Sequence, residues 1–527
     1  MQHYRLTVDK FLDHAAKWHG DREVVEARAD GATRRTRYAD LRARSNLMSG
    51  ALLALGMEPG DRVGTIAWNT IHHLELYYAA MGAGLVCHTL NPRLSADHLS
   101  AIIDEAEDKV IAVAADLLPL VAPALARCRT VRQVIVLDDE GVPVDLPVPV
   151  AGYEDLLARD GAPAEWGAFD EESAAGLCYT SGTTGKPKGV TYTHRSNYLH
   201  TLRALQADAV ALTARETLLL AVPMFHANGW GLPFAAPAVG AKLVLPGRTL
   251  DGARLARLMR DEGVTLAVGV QTVWLGVADH LERGGETLPD LARVVIGGSA
   301  CPDALLERLG ERFGAEIQTS WGMTELSPIG AIAPPGVPST GAGRAPLGLD
   351  LKLVDGDGAT LPEQRGVEGR LMVRGHSVVE RYFGGEESVL DAEGYFDTGD
   401  LATIDADGDL TINGRAKDLI KSGGEWINPS EIEAIVGAHP SVRHVAVVAR
   451  EDVKWGERPV LVVDVDAAEA GDARGLIDLL RGRVPDWWLP DQVAAVDAMP
   501  LAASGKIDKV RLRDDLANGR ISAAAAR

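Results

Sequence analysis

The chain reads as an α/β protein: a large N-terminal domain with parallel-rich sheets and a β-rich subdomain, then a small α+β C-terminal domain. Three features of the sequence predict this. Short apolar runs alternate with helix-period segments through most of the chain, the pattern of strands buried on both faces and joined by helical crossovers. Beyond Gly341, turns rich in Asp and Gly (Asp355-Gly356-Asp357-Gly358, Asp405-Ala406-Asp407-Gly408) separate short strands. After Gly414 a new unit opens with a helical segment and a strand pair. At 527 residues the chain is too long for one core. The domains expected are 1–414 and 415–527.

In order, buried strands are predicted at 63–67, 110–113, 134–137, 174–179, 218–222, 242–245, 266–270, 294–296 and 315–319. Helices fit 253–262 and 304–313. The first 21 residues have a polar, helical pattern. In the C-terminal unit, 429–438 is helical and 444–449 pairs with 460–465. The closing residues 521–527 read as a frayed tail.

Composition excludes several functions. A net charge of −21 argues against nucleic-acid binding, which selects basic surfaces. Cys87, Cys128, Cys178 and Cys301 lie far apart with no CxxC pair, so neither a disulfide framework nor a zinc site is expected. There is no signal-peptide core and no apolar run long enough to span a bilayer, and the expected location is cytoplasmic.

The most informative stretch is Tyr179-Thr180-Ser181-Gly182-Thr183-Thr184-Gly185-Lys186-Pro187-Lys188-Gly189. Glycines let the backbone approach an anion, and N–H groups, hydroxyls and ammonium groups can converge on phosphate oxygens. The spacing is not that of a P-loop, which needs four residues before its Gly-Lys pair and a Ser or Thr after it. Here Pro187 follows Lys186. A flexible linker is the bland alternative, but strand-like runs flank the segment on both sides.

Other segments are ambiguous alone. Ser320-Trp321-Gly322-Met323-Thr324-Glu325 offers an indole face for a purine, a hydroxyl for phosphate and a hard oxygen for Mg²⁺, or else a core Trp and a helix start. Tyr395-Phe396-Asp397-Thr398-Gly399-Asp400 could grip a ribose or be a surface turn. The run from Gly414 to Gly424 is cationic, as many solvated faces are, and Ser504-Gly505-Lys506 presents one lysine. On composition alone, His226 in Pro223–Trp230 reads as a packed histidine.

Taken together and in order, Thr180–Gly189, Phe225–Trp230, Gly297–Pro302, Trp321–Glu325, Tyr395–Asp400, Gly414–Gly424 and Ser504–Lys506 resemble the adenylate-forming superfamily. The surroundings of Pro223–Trp230 and of Trp487-Trp488-Leu489-Pro490 are most similar to medium- and long-chain fatty acyl-CoA ligases and methylmercaptopropionate-CoA ligases. The resemblance implies a mobile C-terminal domain and two half-reactions using ATP, Mg²⁺ and CoA. A carboxylate attacks the α-phosphate of ATP, giving an acyl-adenylate and pyrophosphate. CoA then displaces AMP to give the thioester.

The resemblance also implies residue roles. Lys506 would bridge the carboxylate and the α-phosphate. Thr180, Ser181, Gly182, Thr183, Thr184, Gly185 and Lys188 would hold the β- and γ-phosphates. Glu325 would bind Mg²⁺, Gly322 and Thr324 would lie at the nucleotide, and Asp400 with Arg415 would contact the ribose. Gly298, Ser299 and Ala300 would line the adenine. Trp321 would stack on it in place of a more usual Tyr, keeping the aromatic face but losing the phenol hydroxyl. His226, Asn228, Trp230, Gly298 and Met323 are the acyl-pocket candidates. Lys417 falls at the hinge, and Lys421, Gly423 and Gly424 on the CoA side. Leu501 departs from the Lys or Arg of many relatives.

The leading expectation is an AMP-forming acid–CoA ligase for a medium-sized apolar or aryl acid in fatty acid metabolism. Its partners are the small-molecule carboxylic acid and CoA, and a homodimer is compatible with it. A second reading keeps the adenylate but passes the acyl group to a carrier-protein thiol, an amine or another nucleophile. No carrier domain is read after Lys506, so self-loading is not expected. A third, a catalytically dead nucleotide-binding module, is opposed by Lys506, Glu325 and Lys188.

Overall fold

A computed structural model describes residues 1–137, 146–180, 187–298, 301, 303–337, 341–423, 425–439, 441–465, 475–501 and 507–525. The described strands form four sheets. The first, in spatial order, is Val150–Gly152, Gln133–Val136, Val110–Val113, Arg62–Ile66, Val86–Thr89, Ala174–Thr180 and Lys188–Thr193. All neighbours are parallel except the last two, which form a hairpin.

The second sheet runs Ile329–Ile332, Glu316–Gly322, Arg293–Gly297, Leu266–Val270, Thr217–Leu220, Lys242–Leu245, Glu23–Ala27 and Thr33–Arg37. It is parallel in the middle and antiparallel at both edges. Its edge strand Thr33–Arg37 alternates exposed and half-buried residues and is charged, which blunts a free edge.

The helix Ile71–Gly82 is buried at every residue. It starts where the Thr70 hydroxyl accepts from His73 N–H, and it packs against strands of both large sheets. Tyr77 and Tyr78 send their hydroxyls to the carbonyls of Met224 and Pro233, and Ile71 N–H donates to the Glu26 carboxylate at 2.8 Å. This helix therefore carries the loop after Leu220 into register with the first sheet.

The β-rich part is an antiparallel four-stranded sheet of Leu349–Val354, Glu368–Gly375, Phe396–Ile404 and Leu410–Arg415. Strands from 420 onward form a separate sheet, Glu425–Ile427, Ile420–Ser422, Gly456–Val465, Gln492–Val496 and Ala524–Ala525, with Val442–Asp452 also paired to Gly456–Val465. Helix Pro429–Gly437 covers it, and Asn428 caps this helix while donating to Asn413 C=O at 2.8 Å.

Two expectations need correction. The segment after 521 is not wholly frayed: Ala524 and Ala525 pair with Val493 and Gln492, because that edge still offers ladder partners. At the N-terminus only Asp9–Trp18 is helical.

Three fully buried histidines affect stability. Desolvation holds His73 down to about 4 and His194 to about 3, and it pulls His200 well below its ordinary value. For such a group the stabilisation is intact above the unfolded value near 6.5 and is lost as pH falls towards the folded one. Each contributes up to about 1.4 kcal/mol per pH unit in that window. In His194→Asn, which keeps an acceptor for Val8 N–H, the denaturation midpoint is expected to fall less steeply between pH 6.5 and 4.5 than in the wild type. Equal slopes would remove His194 from this account.

Candidate active site

The phosphate-loop candidate sits in the hairpin that ends the first sheet. Thr180, the last residue of its strand, pairs with Lys188, the first of the next. Ser181, Gly182, Thr183, Thr184 and Gly185 lie outside the described residues, as do Ser299, Ala300, Gly424 and Lys506. The Lys188 ammonium stands 4.7 Å from the centre of the Tyr382 ring. Tyr382 is tied to this hairpin by its bridge to Val190, and Phe383 N–H donates to Gly189 C=O at 2.7 Å.

Tyr382 in turn donates its hydroxyl to Glu325 Oε1 at 3.1 Å. Glu325 lies in the short helical turn Thr324–Leu326, and only 8% of it is exposed. Burial raises its pKa; Tyr382, Arg415 and Lys188 pull the other way. Val379 N–H binds Glu325 C=O at 2.8 Å, and Tyr192 OH binds Thr324 C=O at 2.9 Å.

Beneath this turn lies a buried clamp that sequence reasoning missed. Arg203 donates to Ser377 Oγ at 2.8 Å and to the carbonyls of Ile329 at 2.8 Å and Leu326 at 3.4 Å. Desolvation brings its guanidinium down to about 10. His200 Nε2 accepts from Ile329 N–H at 3.2 Å. Nothing in the local sequence marks Arg203, because its partners lie more than 120 residues away.

Trp321 and Gly322 end the strand Glu316–Gly322, and the register shifts between them. The Trp321 indole N–H donates to Asp400 Oδ2 at 2.9 Å. Asp400, 2% exposed, faces Arg415 across paired strands, and Arg415 Nε lies 2.7 Å from Asp400 Oδ1. Arg415 also donates to Thr398 C=O at 3.1 Å. Three motifs distant in sequence thus meet at one carboxylate. The indole also supplies a donor of its own where the phenol hydroxyl is missing.

The segment from Ala227 to Gly231 is a left-handed turn, with φ of 43°, 53°, 57°, 58° and 75° in succession. Asn69 holds the chain entering it: its amide donates to the carbonyls of Leu220 at 2.9 Å and Val222 at 2.8 Å and accepts from Met224 N–H at 2.7 Å. Ala227 N–H points at Cys178 Sγ at 3.4 Å, tying the turn to the strand Ala174–Thr180. Asn228, 1% exposed, donates to Asn197 Oδ1 at 3.2 Å. The Trp230 ring lies so close to Gly297 that a Cβ there would stand 2.6 Å from Trp230 Cη2. Gly298 follows with φ 91°. His226 is half-buried at the start of the turn. Met323 packs against the cluster of Cys178, Val190, Tyr192, Val379 and Phe396, so it shares Cys178 with the turn.

Lys417 lies in the short turn Ala416–Asp418, where burial lowers its pKa. Lys421 lines a cleft of about 770 Å³ with Trp426, Asp452, Val453 and Glu457, and its ammonium lies 5.3 Å from the Trp426 ring centre. Gly423 N–H donates to Trp455 C=O at 2.7 Å. Leu501 is exposed and pairs with Ile507.

The described site residues come from both large sheets and the β-rich sheet: Thr180 and Lys188 from the first, Trp321 from the second, and Asp400 and Arg415 from the β-rich one. The chain belongs to the AMP-binding enzymes: the family of that description matches residues 11–383, and the AMP-binding enzyme C-terminal domain matches 431–506. The 3-methylmercaptopropionyl-CoA ligase of Ruegeria lacuscaerulensis is 42% identical to it over 97% of each chain. The medium-chain-fatty-acid–CoA ligase of Ectopseudomonas oleovorans is 41% identical over 98% of this chain and 96% of its own. The crystal structure of an anthranilate CoA ligase in complex with anthranoyl-AMP has the same fold, with a TM-score of 0.87 at 23% identity over 98% of this chain and 99% of that one.

Proposed function

We propose that this chain is an AMP-forming acid–CoA ligase that activates an apolar acid of medium size through an acyl-adenylate. One observation carries the reading: Lys188, Tyr382 and Glu325 form one contact chain, while Trp321, Asp400 and Arg415 form another around a buried carboxylate. The first chain suits phosphate and metal, the second base and sugar. Relatives named as ligases of methylmercaptopropionate and of medium-chain fatty acids support the acid class.

Glu325 has the chemistry for Mg²⁺. It is a buried carboxylate raised by desolvation, a state that a divalent cation relieves, and Mg²⁺ is commonly bound through one carboxylate plus substrate phosphates. When bound there, the ion would neutralise phosphate charge. Thr180, Lys188 and the hairpin between them orient the β- and γ-phosphates. Asp400 and Arg415 fix the ribose, and Trp321 stacks on the base. Lys506 holds the acid carboxylate against the α-phosphate, so that a C–O–P bond forms as the bond to pyrophosphate breaks. The C-terminal domain, from 415, then swings about Lys417 and brings Lys421, Gly423 and Gly424 past the adenylate, and the CoA sulfur replaces AMP on the acyl carbon. His226, Asn228, Trp230, Gly298 and Met323 wall the tail. A cytoplasmic location belongs to this reading, and a homodimer is compatible with it.

The test is a panel of carboxylic acids, from short to long aliphatic, with thioether and aryl acids, scored by AMP and thioester together. Equal amounts of AMP and thioester are expected, greatest for medium aliphatic or thioether acids. Neighbouring homologues should differ by about 10–200-fold at most, since one methylene is worth about 1–3 kcal/mol in an apolar pocket. Acid-dependent pyrophosphate exchange without any thioester would sink the CoA half.

A further inference from the structure

We propose that Trp321 is a positioning residue for sugar recognition: its indole N–H fixes the Asp400 carboxylate in the plane that grips the ribose hydroxyls. This rests on the ATP-site reading above and adds a second duty to a ring otherwise needed only for its face.

The indole is pinned at several points. Its strand pairs Trp321 with Ala331, and the register shifts just after it. Its six-membered ring lies directly over Gly330, where any Cβ would collide with it, and Leu326 lies close by. Only a residue without a side chain at 330 allows that approach. With the benzo edge seated there, the pyrrole edge faces Asp400, and Nε1 meets Oδ2 at 2.9 Å.

Asp400 is held from several sides. Arg415 Nε binds the other oxygen at 2.7 Å, and the Thr398 hydroxyl accepts from Asp400 N–H at 3.1 Å. Donors on both oxygens fix the rotation of the carboxylate, which a single ion pair would leave loose. Arg415 meets the carboxylate through Nε at Oδ1 while its Nη1 serves Thr398 C=O, and the indole supplies the contact at Oδ2. A sugar diol is read by matching two hydroxyls to such a carboxylate, so the angle set by the indole becomes selectivity for the sugar. Phenylalanine at 321 keeps an aromatic face but loses this donor. A charge-assisted hydrogen bond at a buried carboxylate corresponds to about 10-fold or more in binding.

Calorimetric titration of the whole protein with ATP, 2′-deoxyATP and 3′-deoxyATP tests this without relying on turnover. The wild type should prefer ATP over at least one deoxy analogue. Trp321→Phe should weaken ATP by about 10-fold and shrink that preference several-fold. In an Asp400→Ala background the same change should alter ATP binding by less than about 3-fold, since the indole N–H then has no side-chain acceptor left at position 400. Equal weakening for all three nucleotides, or the same loss in both backgrounds, would overturn the inference and leave Trp321 as a stacking face only. Failure of the wild type to bind any of the three would sink the ATP-site reading itself, and this inference with it. A circular-dichroism melt of each variant separates these outcomes from misfolding, and Trp321→Met, which likewise lacks an N–H donor, repeats the comparison of the three nucleotides if the Phe variant does not fold.

Discussion

Replacing Lys506 with alanine is expected to lower acid-dependent ATP–pyrophosphate exchange by about 10²-fold or more, the usual effect of losing one transition-state electrostatic partner. The entering carboxylate and the α-phosphate are both anionic and must approach each other in this step, and catalysis of such displacements is mostly positioning and charge stabilisation. Thioester formation from a supplied acyl-adenylate should fall far less, since that step leaves the phosphate intact. Lys506→Arg should recover only part of the exchange, because a planar fork replaces a compact ammonium. Exchange within 3-fold of wild type in Lys506→Ala would remove the lysine from adenylation.

Asn69→Leu is expected to cost about 3 kcal/mol or more of stability. The change keeps the branched shape but strands the carbonyls of Leu220 and Val222 and the N–H of Met224, all in a buried setting where an unmet group costs about 1–3 kcal/mol. Asn69→Asp should be no better: it keeps an acceptor for Met224 but turns two donors into a lone pair and a charge facing carbonyl oxygens. Urea denaturation, read at the first transition, measures both. A loss under 1 kcal/mol for Asn69→Leu would mean that neighbouring groups or water replace the amide. The acid preference should change with it, because Asn69 anchors the chain entering the 227–231 turn.

The contrast between Lys506 and Asn69 shows what a sequence displays and what it hides. Strands 110–113, 242–245 and 266–270 are legible to the residue, since parallel strands buried on both faces are unbroken apolar runs. Helix Ile71–Gly82 is not, because a helix buried all round has no polar stripe and so no period to detect. The two-residue strand Ala524–Ala525 carries no pattern at all. For the site, contiguous motifs surface as unusual clusters of glycine, hydroxyl and charge. Tyr382, Arg203 and Asn69 do not, as each acts through hydrogen-bond partners 57 to 174 residues away, and nothing about a lone Tyr, Arg or Asn announces such a bond. The Trp321–Asp400 bond lies between: both residues were readable, but their contact needed the fold.

The left-handed turn from Ala227 to Gly231 limits which side chains these positions accept, and with them the acids that the proposed pocket can come to admit. Ala227, Asn228 and Trp230 each sit in a conformation that costs an L-residue about 1–2 kcal/mol. Branching at Cβ raises that penalty, so valine, isoleucine and threonine are poor replacements at all three positions. Glycine and asparagine adopt it readily. In the proposed acyl pocket, natural drift and directed evolution at these positions therefore draw on a restricted alphabet, in which glycine is easier to introduce than a branched aliphatic. Combinatorial libraries there should be rich in Gly, Asn and unbranched or aromatic residues, and finer tuning of tail length should come from neighbours whose backbone is right-handed or extended.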